Sequence, residues 1–76
     1  MKEQELYNAL IGVNIPETQA KQIAEDAMNE DKIADAMLYG IRHYGDKATT
    51  SIVEIRTTMV VNKCDEFQAV DLLAKP

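Results

Sequence analysis

The sequence predicts an all-α fold: a compact bundle of four to five short helices that forms one helical domain over residues 1–76. Between residues 15 and 44, apolar side chains recur at three- and four-residue steps, the spacing of one helix face. Acidic residues cluster where these segments begin, and the helix dipole favours negative charge there. A chain of 76 residues is also too short for more than one domain.

The first helix is predicted over residues 3–11. Its apolar side is formed by Leu6, Ala9, Leu10 and Val13. Glu3 and Glu5 lie in its first turn, which suits the helix dipole. We expect Gly12 to supply the left-handed residue that ends this helix, because glycine adopts that conformation without steric cost.

The second helix is predicted over residues 16–28, and its many alanines imply a close approach to the neighbouring helix. Pro16 suits the first position, because proline lacks the N–H group that would be unpaired there. The inward side chains are expected to be Ala20, Ile23, Ala24, Ala27 and Met28.

The third helix is predicted over residues 30–43, with Asn29 as its cap and Gly45 as its terminator. Its buried stripe is expected to be Ile33, Ala34, Met37, Ile41 and Tyr44, with Leu38 beside it. Gly40 lies inside the helix, where glycine costs about 1 kcal/mol relative to alanine. We therefore expect a close helix–helix contact at this glycine.

Residues 49–61 allow two interpretations. The segment is rich in Thr, Ile and Val, and residues 53–56 alternate in polarity as a strand does. No second strand-like run is present, so a strand over residues 50–61 would have to pair across a dimer. We favour a helix, because Ser51 and Glu54 have the spacing of a capping box before the apolar run. Its apolar face would be Ile52, Ile55, Met59 and Val60.

The last helix is predicted over residues 66–74. Asp65 and Gln68 have the capping-box spacing at its start. Its apolar residues are Phe67, Val70, Leu72 and Leu73.

The net charge of −5 argues against unspecific binding to nucleic acid or to an anionic membrane, where lysine and arginine supply most of the affinity. No apolar run approaches the ~20 residues of a membrane span, and the first five residues do not resemble a signal peptide. Cys64 is the only cysteine, which fits a reducing cytoplasm better than a disulfide-linked secreted fold. We therefore expect a cytoplasmic protein.

His43 and Cys64 are the only candidates for nucleophilic or metal chemistry. A structural zinc site usually needs four protein ligands and a catalytic site three, and a Cys–His dyad needs an orienting third group. The simpler interpretation is that Cys64 fills apolar space and His43 is a cation at a helix end. We expect no catalytic site, no metal and no cofactor, and so no enzyme.

Five carboxylates crowd into eleven residues, with only Lys32 to offset them. They are Glu25, Asp26, Glu30, Asp31 and Asp35, and we call them the acidic face. One interpretation is a binding surface for a basic protein, such as one whose groove normally holds nucleic acid. The other is the solvated side of two amphipathic helices with favourable charges in their first turns.

The expected function is that of a small acidic protein–protein interaction module, a regulator or inhibitor that binds a basic partner. It would use the acidic face and any apolar face of residues 52–61 that stays uncovered. Phage-type inhibitors, which occupy the nucleic-acid groove of their target, offer an analogy for this function. Two alternatives stay open: a helix-turn-helix that binds DNA through the second and third helices, and a structural homo-oligomer subunit such as a homodimer.

Overall fold

The computed structural model describes residues 2–75, apart from the side chain of Asp31. Its helices are α1 (Lys2–Gly12), α2 (Glu17–Ala27), α3 (Asp31–Tyr44), α4 (Ile52–Asn62) and α5 (Glu66–Ala74), and a 3-10 turn (Gly45–Lys47) follows α3. The described residues contain no strand, so the predicted all-α bundle is confirmed. The alternative of a strand over residues 50–61 is wrong, because α4 occupies that segment.

Helix α3 is the centre of the bundle and packs against both α1 and α5. Of the stripe predicted for α3, four side chains are buried and Tyr44 is half-buried, and Leu38 beside the stripe is buried too. Helix α2 packs mainly on α1, and its Ala20, Ala24 and Ala27 are buried as predicted. The longest helix, α3, has 14 residues, and within residues 2–75 no helix is long and apolar enough to span a bilayer.

The contact expected at Gly40 is present between α3 and α5. A Cβ atom built on Gly40 would lie 2.6 Å from Cγ1 of Val70, inside van der Waals distance. Gly40 is therefore required for packing, since any larger residue would push the two helices apart.

The end of α1 differs from the prediction. Gly12 is still helical, and the left-handed residue is Asn14, with φ of 68°. The N–H of Asn14 donates to the carbonyl of Ile11 at 3.0 Å, and the N–H of Ile15 donates to that of Leu10 at 3.1 Å. This pattern is a Schellman motif, and asparagine tolerates its left-handed position better than other non-glycine residues do. The terminator predicted for α3 is confirmed, because Gly45 has φ of 62°.

The predicted helix starts are confirmed to different degrees. Asp65 and Gln68 form both hydrogen bonds of the capping box at α5. Ser51 accepts from the N–H of Glu54 at 3.2 Å, so α4 has the capping residue that was predicted. The prediction of Asn29 as the cap of α3 is wrong, because Glu30 occupies that position and makes no side-chain capping bond.

Helix α4 packs chiefly on α5 and has one fully buried side chain, Ile55. Ile52 and Met59 lie half-buried against the core, as predicted. Val60 was predicted on the same face but is 78 % exposed. It lies on the outer side of α4, because its direction differs from that of Ile55 by more than a third of a turn.

Candidate functional site

The acidic face is divided by its contacts, and its exposed part lies near the end of α2. Glu25 and Asp26 are both exposed, and neither forms an ion pair with a cation of the described residues. Asp26 Oδ1 accepts a hydrogen bond of 2.9 Å from Gln22 Nε2, one turn earlier. These two carboxylates therefore keep their charge available to a partner.

Two other carboxylates of the acidic face are held in ion pairs. Glu30 Oε1 accepts from Arg56 Nε at 3.1 Å, and a second contact joins Glu30 Oε2 to Arg56 Nη2. This bidentate pair links the α2–α3 connection to α4. Asp35 Oδ1 lies 3.1 Å from Lys2 Nζ. The side chain of Asp31 lies outside the part of the chain that the structure describes.

The outer side of α4 carries an exposed apolar surface that we call the valine face, formed by Val53, Thr57, Val60 and Val61. The three valines are 67 %, 78 % and 72 % exposed in chain order, and Thr57 is also exposed. Exposed apolar surface on so small a protein usually marks a contact with another molecule.

A shallow groove of about 280 Å³ brings the valine face and the acidic face together. Its lining residues are Asp26, Asn29, Ile52, Val53 and Arg56. Sequence reasoning named both surfaces but not their adjacency, which depends on how α4 folds back past the end of α2. The Arg56 charge in this groove is neutralised by Glu30, so Asp26 leaves the groove negative.

A cluster of two tyrosines and one aspartate joins α3 to α5, and sequence reasoning missed it. The hydroxyls of Tyr39 and Tyr44 both donate to Asp71 Oδ1, at 2.8 and 2.6 Å. These bonds, that from Tyr44 first, hold the pKa of Asp71 below its usual value. The hydrogen bond between Tyr44 and Asp71 is also the largest cause that raises the pKa of Tyr44, to about 12, and desolvation of the hydroxyl is the second. The only signal in the sequence is one aspartate within an apolar helix, and it names no partner.

His43 and Cys64, the candidates for chemistry, line different grooves. The ring of His43 lies 4.3 Å from that of Tyr39, and its Nδ1 donates to the Tyr39 carbonyl at 2.9 Å, since a carbonyl oxygen only accepts. Cys64 is half-buried after α4, with its sulfur 3.9 Å from the Thr58 carbonyl. The structure therefore does not bring the two side chains into one site.

An open groove of about 570 Å³ lies between α1 and α3, next to His43. Its lining residues are Lys2, Glu5, Asp35, Leu38, Tyr39, Arg42 and His43. Opposite charges pair across it, because Arg42 Nη2 lies 3.7 Å from Glu5 Oε2 and Lys2 contacts Asp35. The charged side chains of this groove are therefore mainly paired with one another.

In the helix-turn-helix alternative, α3 would be the DNA-reading helix. Its apolar side is buried against α1 and α5, while Lys32, Arg42 and His43 are exposed. DNA binding therefore stays an untested alternative to the predicted protein-binding function. No family model, curated protein or solved structure matches this chain.

Proposed function

We propose that this protein is a small interaction module that regulates or inhibits a basic protein by binding it. The binding surface is the end of α2, where Glu25 and Asp26 are exposed and Asp26 lines a shallow groove. The observation that supports the proposal is that both carboxylates are exposed and lack a cationic partner in the described chain, whereas Glu30 and Asp35 have one.

The net charge of the chain favours basic partners at this surface. With a net charge of −5, the protein is attracted to a basic partner from a distance and repelled by acidic proteins. Exposed ion pairs contribute only about 0.2–1 kcal/mol each, so the carboxylates act mainly by speeding encounter and by selecting the partner.

The proposal assigns no chemical step to the protein. Inhibition would follow from occupying a basic surface that another ligand of the partner needs. Val53 adjoins Asp26 in the groove and supplies apolar contact beside the charges.

The test compares two charge reversals on α2. The tagged protein is incubated with a native cell extract at low and at high salt, and retained proteins are identified and then titrated in purified form. Glu25→Lys should weaken binding to the basic partner, and high salt should weaken the binding of the unaltered chain. Glu17→Lys is the matched control, because it reverses another exposed carboxylate of the same helix and gives the same net charge. Equal binding by both variants would refute the proposed surface.

A further inference from the structure

We propose that the valine face binds a second copy of this chain, and that the two α4 helices pack antiparallel about a two-fold axis at Thr57. This goes beyond the proposed function, since it assigns a second partner, another copy of this chain, to the valine face and to the groove that this face shares with Asp26. Isologous contacts of this kind are the commonest interface in homo-oligomers.

The valine face is symmetric along the axis of α4. Val53, Thr57 and Val61 follow one another at four-residue steps, so the pattern reads the same in both directions along the helix. A two-fold axis at Thr57 therefore places Val53 level with Val61 of the second copy, and Val61 level with Val53 of the second copy. All three side chains are exposed and uncharged, so the face is complementary to itself.

The edges of the valine face also determine which side chains meet in such a pair. In an antiparallel pair the same edges meet, and Arg56 and Val60 share one edge at helical spacing. Lys63 follows directly as the left-handed cap at the C-terminal end of α4. With a rise of about 1.5 Å per residue, Val60 of one copy reaches the groove between Val53 and Arg56 of the other. Lys63 of that copy then lies level with the start of α4, about 1.5 Å along the axis from Ile52.

Asp26 lines the groove together with Ile52 and Val53, the first residues of α4. Lys63 is exposed at the end of α4 and forms no ion pair within the described chain, and Asp26 has no cation partner there either. The antiparallel arrangement therefore brings together opposite charges that are unpaired in one copy, and it does so twice.

The like charges in the pair are arranged so that they do not oppose it. The two Arg56 side chains lie about 3 Å apart along the axis, but each is neutralised by Glu30 of its own copy. The two Glu54 side chains are about 9 Å apart along the axis, close to the screening length at physiological salt. Association at this face therefore avoids most of the repulsion that a net charge of −5 imposes elsewhere.

The experiment measures the mass of the purified chain by sedimentation equilibrium and light scattering from low micromolar to about 1 mM, the range of weak specific dimers. We expect a monomer–dimer equilibrium. Val60→Lys should leave a monomer, whereas Ile11→Lys, which changes an exposed apolar residue on α1, should leave the dimer unchanged. Circular dichroism of each variant confirms that it is folded.

Exchange of the charges of Asp26 and Lys63 tests whether the two α4 helices are antiparallel. Asp26→Lys and Lys63→Asp should each weaken the dimer by about tenfold, because symmetry repeats each lost contact. The double variant Asp26→Lys/Lys63→Asp should restore it to within about threefold, since the ion pairs are re-formed with reversed sign. Glu25→Lys, whose site does not line the groove, should leave the dimer intact even if it weakens binding to a basic partner.

A monomer at every concentration overturns the proposal and leaves the basic-partner proposal standing. A dimer that the double variant does not restore overturns the antiparallel arrangement. A dimer that Val60→Lys leaves unchanged shows that the copies meet at another surface.

Discussion

The hydroxyl of Tyr44, at the end of α3, lies 2.6 Å from Oδ1 of Asp71 in the middle of α5. Tyr39, more than one turn earlier, donates to the same oxygen at 2.8 Å. One carboxylate therefore fastens the end of the central helix to the last helix. The charged form of Asp71 accepts both bonds, which makes this link dependent on pH.

Acid should weaken the fold through Asp71. Its pKa in the folded protein is lowered, chiefly by the hydrogen bond from Tyr44 and then by that from Tyr39. Its contribution to stability is thus present above its ordinary pKa and is lost as the pH falls through the lower folded value. Urea unfolding from pH 6 to pH 2 should show a smaller acid loss in Asp71→Asn than in the unaltered chain. Asp46→Asn, at an exposed site, is the control and should retain the loss.

Alkali should weaken the fold through Tyr44. Its folded pKa is raised to about 12 from an ordinary value of 10.0, first by the hydrogen bond to Asp71. The stabilisation is complete below pH 10 and disappears as the pH rises towards 12. Tyr44→Phe should remove part of this dependence and lower the melting temperature at pH 8. Tyr7→Phe is a matched change in a half-buried tyrosine, and an equal effect there would contradict the assignment.

Gly40→Ala should destabilise the protein by up to about 2 kcal/mol in total, because the new methyl group would collide with Val70 at a cost of about 1–3 kcal/mol. The steric cost should exceed the roughly 1 kcal/mol that alanine gains in a helix. Gly12→Ala is the control, since a Cβ atom at Gly12 would meet nothing within 4 Å and the φ of this residue is not positive. We expect that change to be neutral or stabilising in chemical denaturation. The double variant Gly40→Ala/Val70→Ala should show coupling, as removal of the Val70 methyl groups relieves the collision.

Arg56→Met should cost no more than about 1 kcal/mol, because the Arg56 and Glu30 side chains are partly exposed and solvent screens their attraction. The loss should nevertheless exceed that of Arg42→Met, whose single contact with Glu5 is 3.7 Å long. Added salt should narrow the difference between the two variants. Thermal melts at low and high salt provide the measurement, and a difference that does not change with salt would argue for packing by the arginine stem instead.

The features that sequence analysis predicted well depend on neighbours in the chain. The bounds of α5 follow from Asp65 and Gln68, whose capping bonds span only three residues. The contact at Gly40 was predictable because a glycine inside a helix is unfavourable without a packing reason. Asn29 and Gly12 failed as caps because Glu30 and Asn14, close by, occupy the positions that matter.

The features that it missed depend on residues far apart in the sequence. Asp71 is separated by 27 residues from Tyr44 and by 32 from Tyr39. Glu30 and Arg56 are 26 residues apart, and their pairing decides which carboxylates of the acidic face stay free. Val60 was assigned to the inner side because apolar spacing alone does not show where a helix lacks a neighbour.

Helix α4 is secured unevenly along its length. The Ser51 cap, the buried Ile55 and the Arg56 ion pair hold its first two turns, while Val60 and Val61 face solvent in its last turn. Its amide hydrogens should therefore exchange with deuterium from the C-terminal end inward, through fraying rather than through global opening. A molecule that binds these last residues would slow the exchange of their amide hydrogens. Binding at this surface would therefore be measured as increased protection at the C-terminal end of α4.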